Sequence, residues 1–448
     1  MHWFAINCKA ESVAAPLSAP AEPIPALRRK AERAAVVSSC CGFLGEVTLT
    51  DSAVVILFAG MLGAGDTLSM LTTSVLPLLN GCCLIPMAAL VAAAGEKRVI
   101  LTACILASAS YFAAASAPWF GAWSVTVLIT AILCFALSLT GFIAGWFPLL
   151  DTFLTRERRT GFFCRMRFCH QLTATLFLFA VGAAIGGQPS AGTLQGVLFL
   201  AAIIFTGRAA AIARIPDFRI PERGTAGFRT GLARAIGNKA LTGFSTYLFV
   251  LNLAAFGTVP LMILCLKNQL GAPDNVIVFI SGAALSGMLA GYLCAGKLLR
   301  LAGPRRFYPL FHALFFAVNF MLFFIGRGGA AACPVIAGLL FLYSLGIAAV
   351  SIAASAEMMA LASPGNKVMA MALSGAFSCG GSGLSRFVTS LLLGGEMLAP
   401  EWMLGTMTVS RYQSLLLLYC CGLLFAAVFL ALVPAVFPKG EYVYPGAV

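Results

Sequence analysis

Leu62-Gly63-Ala64-Gly65-Asp66 returns 208 residues later as Leu270-Gly271-Ala272-Pro273-Asp274. Further along, Gly95-Glu96-Lys97-Arg98 returns as Gly303-Pro304-Arg305-Arg306 at the same offset of 208, and Arg159 falls opposite Lys367. Separate matches that share one offset mark an internal repeat, because chance similarity does not hold register through the apolar sequence between them.

That intervening sequence decides the solvent. The 448 residues are 60% hydrophobic and 10% charged, with a mean hydropathy of +0.95, whereas a soluble chain carries roughly a quarter of its residues charged. Apolar runs long enough to cross about 30 Å of hydrocarbon recur from Ala35 to Phe437. Runs such as Val99 to Ser116 and Ser414 to Val436 are apolar on every face, which excludes the alternating strands of an outer-membrane barrel. Twelve transmembrane helices are predicted, at 35–59, 67–94, 99–117, 122–149, 168–187, 194–213, 241–265, 274–299, 307–326, 333–361, 369–394 and 411–437.

The net charge of +13 segregates by side. At alternate ends of these spans lie 25 of the 29 Lys and Arg, with Arg208 counted in the 6-7 region; Lys267, Arg327 and Arg411 fall at the other ends, and Arg386 lies inside a span. The positive-inside rule then puts both termini in the cytoplasm of a cell inner membrane, and no nucleic-acid partner is needed to explain the charge. Both copies of the Gly-x-basic-Arg turn lie on the basic side, so each repeat holds an even number of spans. Two six-helix halves in parallel orientation satisfy this. The expected organisation is a disordered cytoplasmic arm (1–34), an N-terminal half (35–213), a cytoplasmic linker (214–240), a C-terminal half (241–437) and a tail (438–448).

The chain resembles the major facilitator superfamily over nearly its whole length after the arm. The residues that carry the likeness are the turns after spans 2 and 8. The second copy reads Gly296-Lys297-Leu298-Leu299-Arg300-Leu301-Ala302-Gly303-Pro304-Arg305-Arg306, and the first keeps Gly95, Lys97 and Arg98. Arg300 and Ala92 stand where the family has an Asp whose charge contact holds the cytoplasmic gate. The segment from Trp146 through Asp151 to Arg158, Arg159, Phe162, Phe163 and Arg165 resembles the 4-5 connection of a poorly characterised branch. The resemblance implies an all-α fold with a substrate path between the halves, lined by spans that include 7 and 10.

A charge inside hydrocarbon costs about 2.5 to 3.5 kcal/mol on insertion scales, so each needs a partner or a function. Glu46 and Asp51 in span 1, Glu357 in span 10 and Arg386 in span 11 are such charges. Asp51 and Arg386 fall at similar depth, so with the halves facing each other the two are expected to meet across the cavity. The functional reading gives Glu46 or Asp51 a proton or a cationic substrate, and Arg386 an anionic group; the structural reading is a buried ion pair. Glu357 is expected to reach water near the end of its span. Asn252 and Tyr343 are candidates to line the path, while Asn80, Gln171 and Asn319 are expected to bond to neighbouring helices. His170 and His312 are not expected to relay protons.

With 15 Cys largely inside spans, several as adjacent pairs, and only three His, no metal site, disulfide or cofactor is indicated. No phosphate-binding loop or paired catalytic constellation is visible. The expected function is therefore a secondary transporter, not an enzyme, acting as a monomer on a small organic solute and coupled to protons. The alternatives are a drug or amphiphile efflux antiporter, suggested by Gly182-Ala183-Ala184-Ile185-Gly186-Gly187, a membrane-embedded transferase, and a non-transporting receptor.

Overall fold

The computed structural model describes residues 25–154, 156–216, 218, 228–325, 329–362, 366–395 and 397–432. Within these, the side chains of Arg158, Arg159, Arg305 and Lys367 lie outside the described set, as do most of the arm and the whole tail.

Fifteen α-helices carry the described chain: α1 (Pro25–Thr50), α2 (Ala53–Met61), α3 (Asp66–Ala94), α4 (Glu96–Ala115), α5 (Ser124–Asp151), α6 (Arg156–Ile185), α7 (Ala191–Ala213), α8 (Phe228–Gly237), α9 (Lys239–Ala255), α10 (Thr258–Asn268), α11 (Asp274–Ala302), α12 (Pro304–Ile325), α13 (Cys333–Leu361), α14 (Lys367–Gly394) and α15 (Arg411–Leu432). Ten helical stretches are long and apolar enough to span a membrane, and α1 with α2 forms an eleventh, bent by 42°. The 28-residue α14 has the length but not the apolarity, because Gly375, Gly380, Gly381, Gly383 and Arg386 lie in it. Large apolar side chains face outward on many spans, among them Ile105, Leu137, Leu200, Leu293, Phe320 and Phe425. Water would penalise such a surface; lipid does not.

The repeat is now visible in three dimensions. Helices α3 and α11 begin and end 208 residues apart, and α4 and α12 begin at the same offset. The chain leaves α2 through Gly63 (φ 89°) and α10 through Gly271 (φ 60°), and it turns from α3 into α4 at Gly95 (φ 90°) and from α11 into α12 at Gly303 (φ 67°). These left-handed positions favour glycine, which explains why both copies of each turn keep it. The halves meet along two related seams, α3 against α14 and α11 against α6. The repeat shift converts one into the other.

The two sequence halves are each interrupted at the same stage. In the first, Thr48, Thr50 and Ser52 donate their hydroxyls to carbonyls four residues back, and Ser52 caps α2 by accepting from the Val54 N–H. Such back-bonding bends helices. In the second, the break falls at Phe256–Gly257, where a Cβ on Gly257 would overlap the Tyr419 hydroxyl. Predicted span 1 is therefore a bent helix pair, while span 7 runs as one 30-residue stretch with a local interruption between α9 and α10.

Other departures are local. Helix α1 begins at Pro25, ten residues before the expected span, and its Glu32 approaches Arg165 at 3.6 Å. The linker contains α8, whose Gly231 carbonyl accepts from Asn366 Nδ2 at 2.8 Å. Strands β1 (Glu401–Leu404) and β2 (Met407–Ser410) form a hairpin absent from the all-α expectation, turning at Gly405 (φ 62°). This insertion starts α15 220 residues after α7, twelve beyond the repeat.

Candidate functional site

Arg386 lies on α14 where three other helices converge. Its Nη2 contacts Asp51 Oδ1 at 2.7 Å, Nη1 donates to the Thr73 carbonyl at 2.8 Å, and Nε donates to the Phe256 carbonyl at 3.2 Å. Asp51 sits at the first half's helix break and Phe256 at the second's. One guanidinium thus joins both interruptions to α3.

The backbone carbonyls are free for a reason written in the sequence. In an α-helix the Thr73 carbonyl would accept the N–H of residue 77, which is Pro77, and the Phe256 carbonyl that of residue 260, which is Pro260. Proline has no N–H, so each leaves an orphan acceptor inside the bundle. Arg386 satisfies both. A third carbonyl at the break, that of Ala255, accepts the Tyr343 hydroxyl at 2.7 Å.

The pair is unequal in exposure: the Asp51 side chain is 47% exposed, Arg386 8%. Glu46, five residues before Asp51, has a 23% exposed carboxylate and interacts electrostatically with both Asp51 and Cys379 of α14, so it too faces the opposite half. Its own partner is Arg208, with Nη2 at 3.5 Å from Glu46 Oε2.

Arg208 is the residue that the sequence reading misplaced. It does not lie among the surface cations of the 6-7 region but is buried inside the N-terminal half, 4.1 Å from the Phe142 ring centroid and 5.2 Å from that of Phe205. Aromatic faces attract a desolvated guanidinium. A Cβ on Gly42 would overlap the Arg208 guanidinium, so the absence of a side chain there makes the berth. Its position within α7, one turn after Phe205 and before the helix ends at Ala213, was the available signal.

Two expected path residues are occupied inside the C-terminal half. Asn252 donates to the Ser378 carbonyl and hydroxyl at 3.0 and 2.7 Å, and Tyr343 is buried, its hydroxyl oxygen 3.1 Å from that of Thr258. Both brace helices within that half. Glu357, expected to reach water, is buried. Asn80 accepts from Thr140, Gln171 donates to the Leu285 carbonyl across α6 and α11, and Asn319 accepts from Thr258, each bonding to a neighbouring helix as expected. His170 hydrogen-bonds Ser39 and stacks on Phe43.

At the turns, Gly95 and Gly303 end α3 and α11, Lys97 donates to the Ile215 carbonyl, and Gly296, Arg98 and Arg306 are exposed. Asp151 ends α5. The opposite end of the bundle carries a network that sequence reasoning missed. Asp66 Oδ2 accepts from Arg411 Nη2 at 2.7 Å and the Tyr412 hydroxyl at 2.6 Å, while its Oδ1 accepts from Asn268 at 2.6 Å. Nearby, Ser390 donates to the Thr67 carbonyl at 2.6 Å. These bonds tie α3 of the first half to α10, α14 and α15 of the second.

No family model and no curated protein matches the chain. Solved structures do. The nucleoside transporter NupG, as a mutant, aligns at 14% identity over 90% of this chain and 99% of its own, with a TM-score of 0.65. A bacterial homologue of the human lysosomal transporter Spinster, inward-facing and unoccupied, aligns at 12% identity over 91% and 97%, TM-score 0.65. The human organic anion transporter MFSD10 aligns at 13% over 91% and 100%, TM-score 0.60. The chain has the major facilitator fold.

Proposed function

We propose that this protein is a secondary active transporter that moves a small organic solute across the cell inner membrane by alternating access, coupled to protons and acting as a monomer. The observation that carries the reading is the Asp51–Arg386 contact, which couples the interrupted helices of opposite halves at one point between them. An ion pair of this kind is a two-position element: neutralising Asp51, or giving either partner another ligand, changes the balance between joined and separated halves. Glu46 and Asp51 are the proton-accepting candidates, and Arg386 the group that responds to them.

The basic end, with the α3–α4 and α11–α12 turns, faces the cytoplasm on this reading, and so do both termini. The end tied by Asp66, Arg411, Tyr412 and Asn268 then faces outward. Of the outer-end cations in the described residues, Lys267 pairs with Asp274 and Arg411 with Asp66, which agrees with that orientation.

Purified protein in proteoliposomes tests the proposal. Flux of at least one member of a broad panel of small organic solutes should respond to an imposed pH gradient and be lost in Asp51→Asn and Arg386→Ala. A panel that moves no faster than in empty vesicles would remove the transport reading.

A further inference from the structure

We propose that Arg386 is an anion-binding residue and that the ligand of this site is a small organic carboxylate which takes the place of Asp51. The inference rests on the transport reading for its purpose but not for its chemistry.

The guanidinium is placed by the backbone. Thr73 and Phe256 hold Nη1 and Nε through carbonyls that Pro77 and Pro260 leave without an internal donor, and neither bond involves Asp51. Arg386 therefore keeps its position when Asp51 departs. Asp51 contributes one contact, from Oδ1 to Nη2, not the two-oxygen fork that an arginine can bind. Of the five guanidinium N–H groups, the two backbone carbonyls take two, which leaves three for a carboxylate that has displaced Asp51.

The exposure difference selects the sign of the ligand. Asp51, 47% exposed, is the more accessible member of the pair and the one free to leave it. Arg386 is buried. A cation that captured Asp51 would strand the buried guanidinium without a counter-charge, and would approach another positive group to do so; an anion on Arg386 leaves the unpaired charge on the more exposed partner instead. Glu46 does not compensate, since Arg208 already neutralises it from within the first half.

Thermal unfolding of the purified, detergent-solubilised protein at constant chloride tests this with three matched probes: phenylacetate, phenylacetamide and phenethylamine, with acetate and benzoate as shorter carboxylates. Wild-type protein should be stabilised by at least one carboxylate and by neither the amide nor the amine. Asp51→Asn, which removes the internal competitor, should bind that carboxylate about tenfold more tightly, and Arg386→Lys, which keeps the charge but loses the fork, should bind it at least tenfold more weakly. Stabilisation by the amine, no stabilisation by any carboxylate, or equal carboxylate affinity in Asp51→Asn and wild type would overturn the proposal. Carboxylate binding without any proteoliposome flux would leave the anion site standing and remove the transporter reading; pH-driven flux of neutral or cationic solutes without carboxylate binding would do the reverse.

Discussion

Arg386 Nη1 donates to the Thr73 carbonyl at 2.8 Å, and that carbonyl is available because the residue four positions later is Pro77. The same arginine repeats the arrangement with Phe256 and Pro260. Two prolines, one in each half, create the acceptors that hold a buried charge between the halves.

Restoring those backbone donors should loosen Arg386 without loosening the helices. In Pro77→Ala and Pro260→Ala the new N–H competes for the Thr73 or Phe256 carbonyl, and helix propensity improves by up to about 3 kcal/mol where the segment is regular. We expect the melting temperature to hold or rise while solute flux falls at least several-fold. Thermal scans paired with flux assays check this, and a parallel fall in both would point to a purely structural role for the prolines.

Removing one partner of the central pair should cost more than removing both. Asp51→Ala leaves the Arg386 charge uncompensated, and truncating one side of a buried pair costs about 3 to 5 kcal/mol, reduced here by the exposure of Asp51. The double variant Asp51→Ala with Arg386→Leu should recover part of that loss. A double-mutant cycle on thermal stability measures the coupling; additive losses would show that the contact carries no net interaction.

Gly42 should not tolerate a methyl group. A Cβ there would overlap the Arg208 guanidinium, so Gly42→Ala displaces a buried cation and should destabilise by about 1 to 3 kcal/mol. Gly60, in open space near the end of α2, is the control: Gly60→Ala should be neutral or mildly stabilising. Melting temperatures of the two variants separate steric from propensity effects.

Asp66 should govern the tied end. With its three donors from Asn268, Arg411 and Tyr412 weakened in Asp66→Asn, the buried segments Ala53–Ala59 and Pro260–Leu266 should exchange amide hydrogens faster, while α4 and α5 do not change. Unchanged exchange in those segments would mean that other contacts hold this end.

The architecture was readable in the sequence because the duplication preserved its turn glycines; Gly63, Gly95, Gly271 and Gly303 all take a left-handed backbone, and their spacing marks out the two halves. Asp51 and Arg386 were also readable, since an ionised side chain in a span demands an explanation and their depths could be counted. Which way a helix is rotated could not be counted. Asn252 and Tyr343 sit on spans expected to line the path, yet both turn into their own half, a choice made by tertiary packing. Arg208 was hidden by a charge count that included it with the 6-7 region, although the predicted span 194–213 contains it and Phe205 one turn earlier offered a clue. The prolines were visible throughout, but their effect depends on what lies opposite the freed carbonyls, and only the fold supplies that.

The most direct test of alternating access through this contact is a distance measured across the tied end. Spin labels at Gly60→Cys and Met403→Cys, both exposed and on opposite halves, would be introduced into protein lacking its other cysteines. Pulsed dipolar spectroscopy in bilayers should show one dominant short distance with Asp51 intact and a second, longer population in Asp51→Asn, as the halves part at this end. Identical distributions with and without the Asp51 charge would contradict a coupling of the two halves through the Asp51–Arg386 contact.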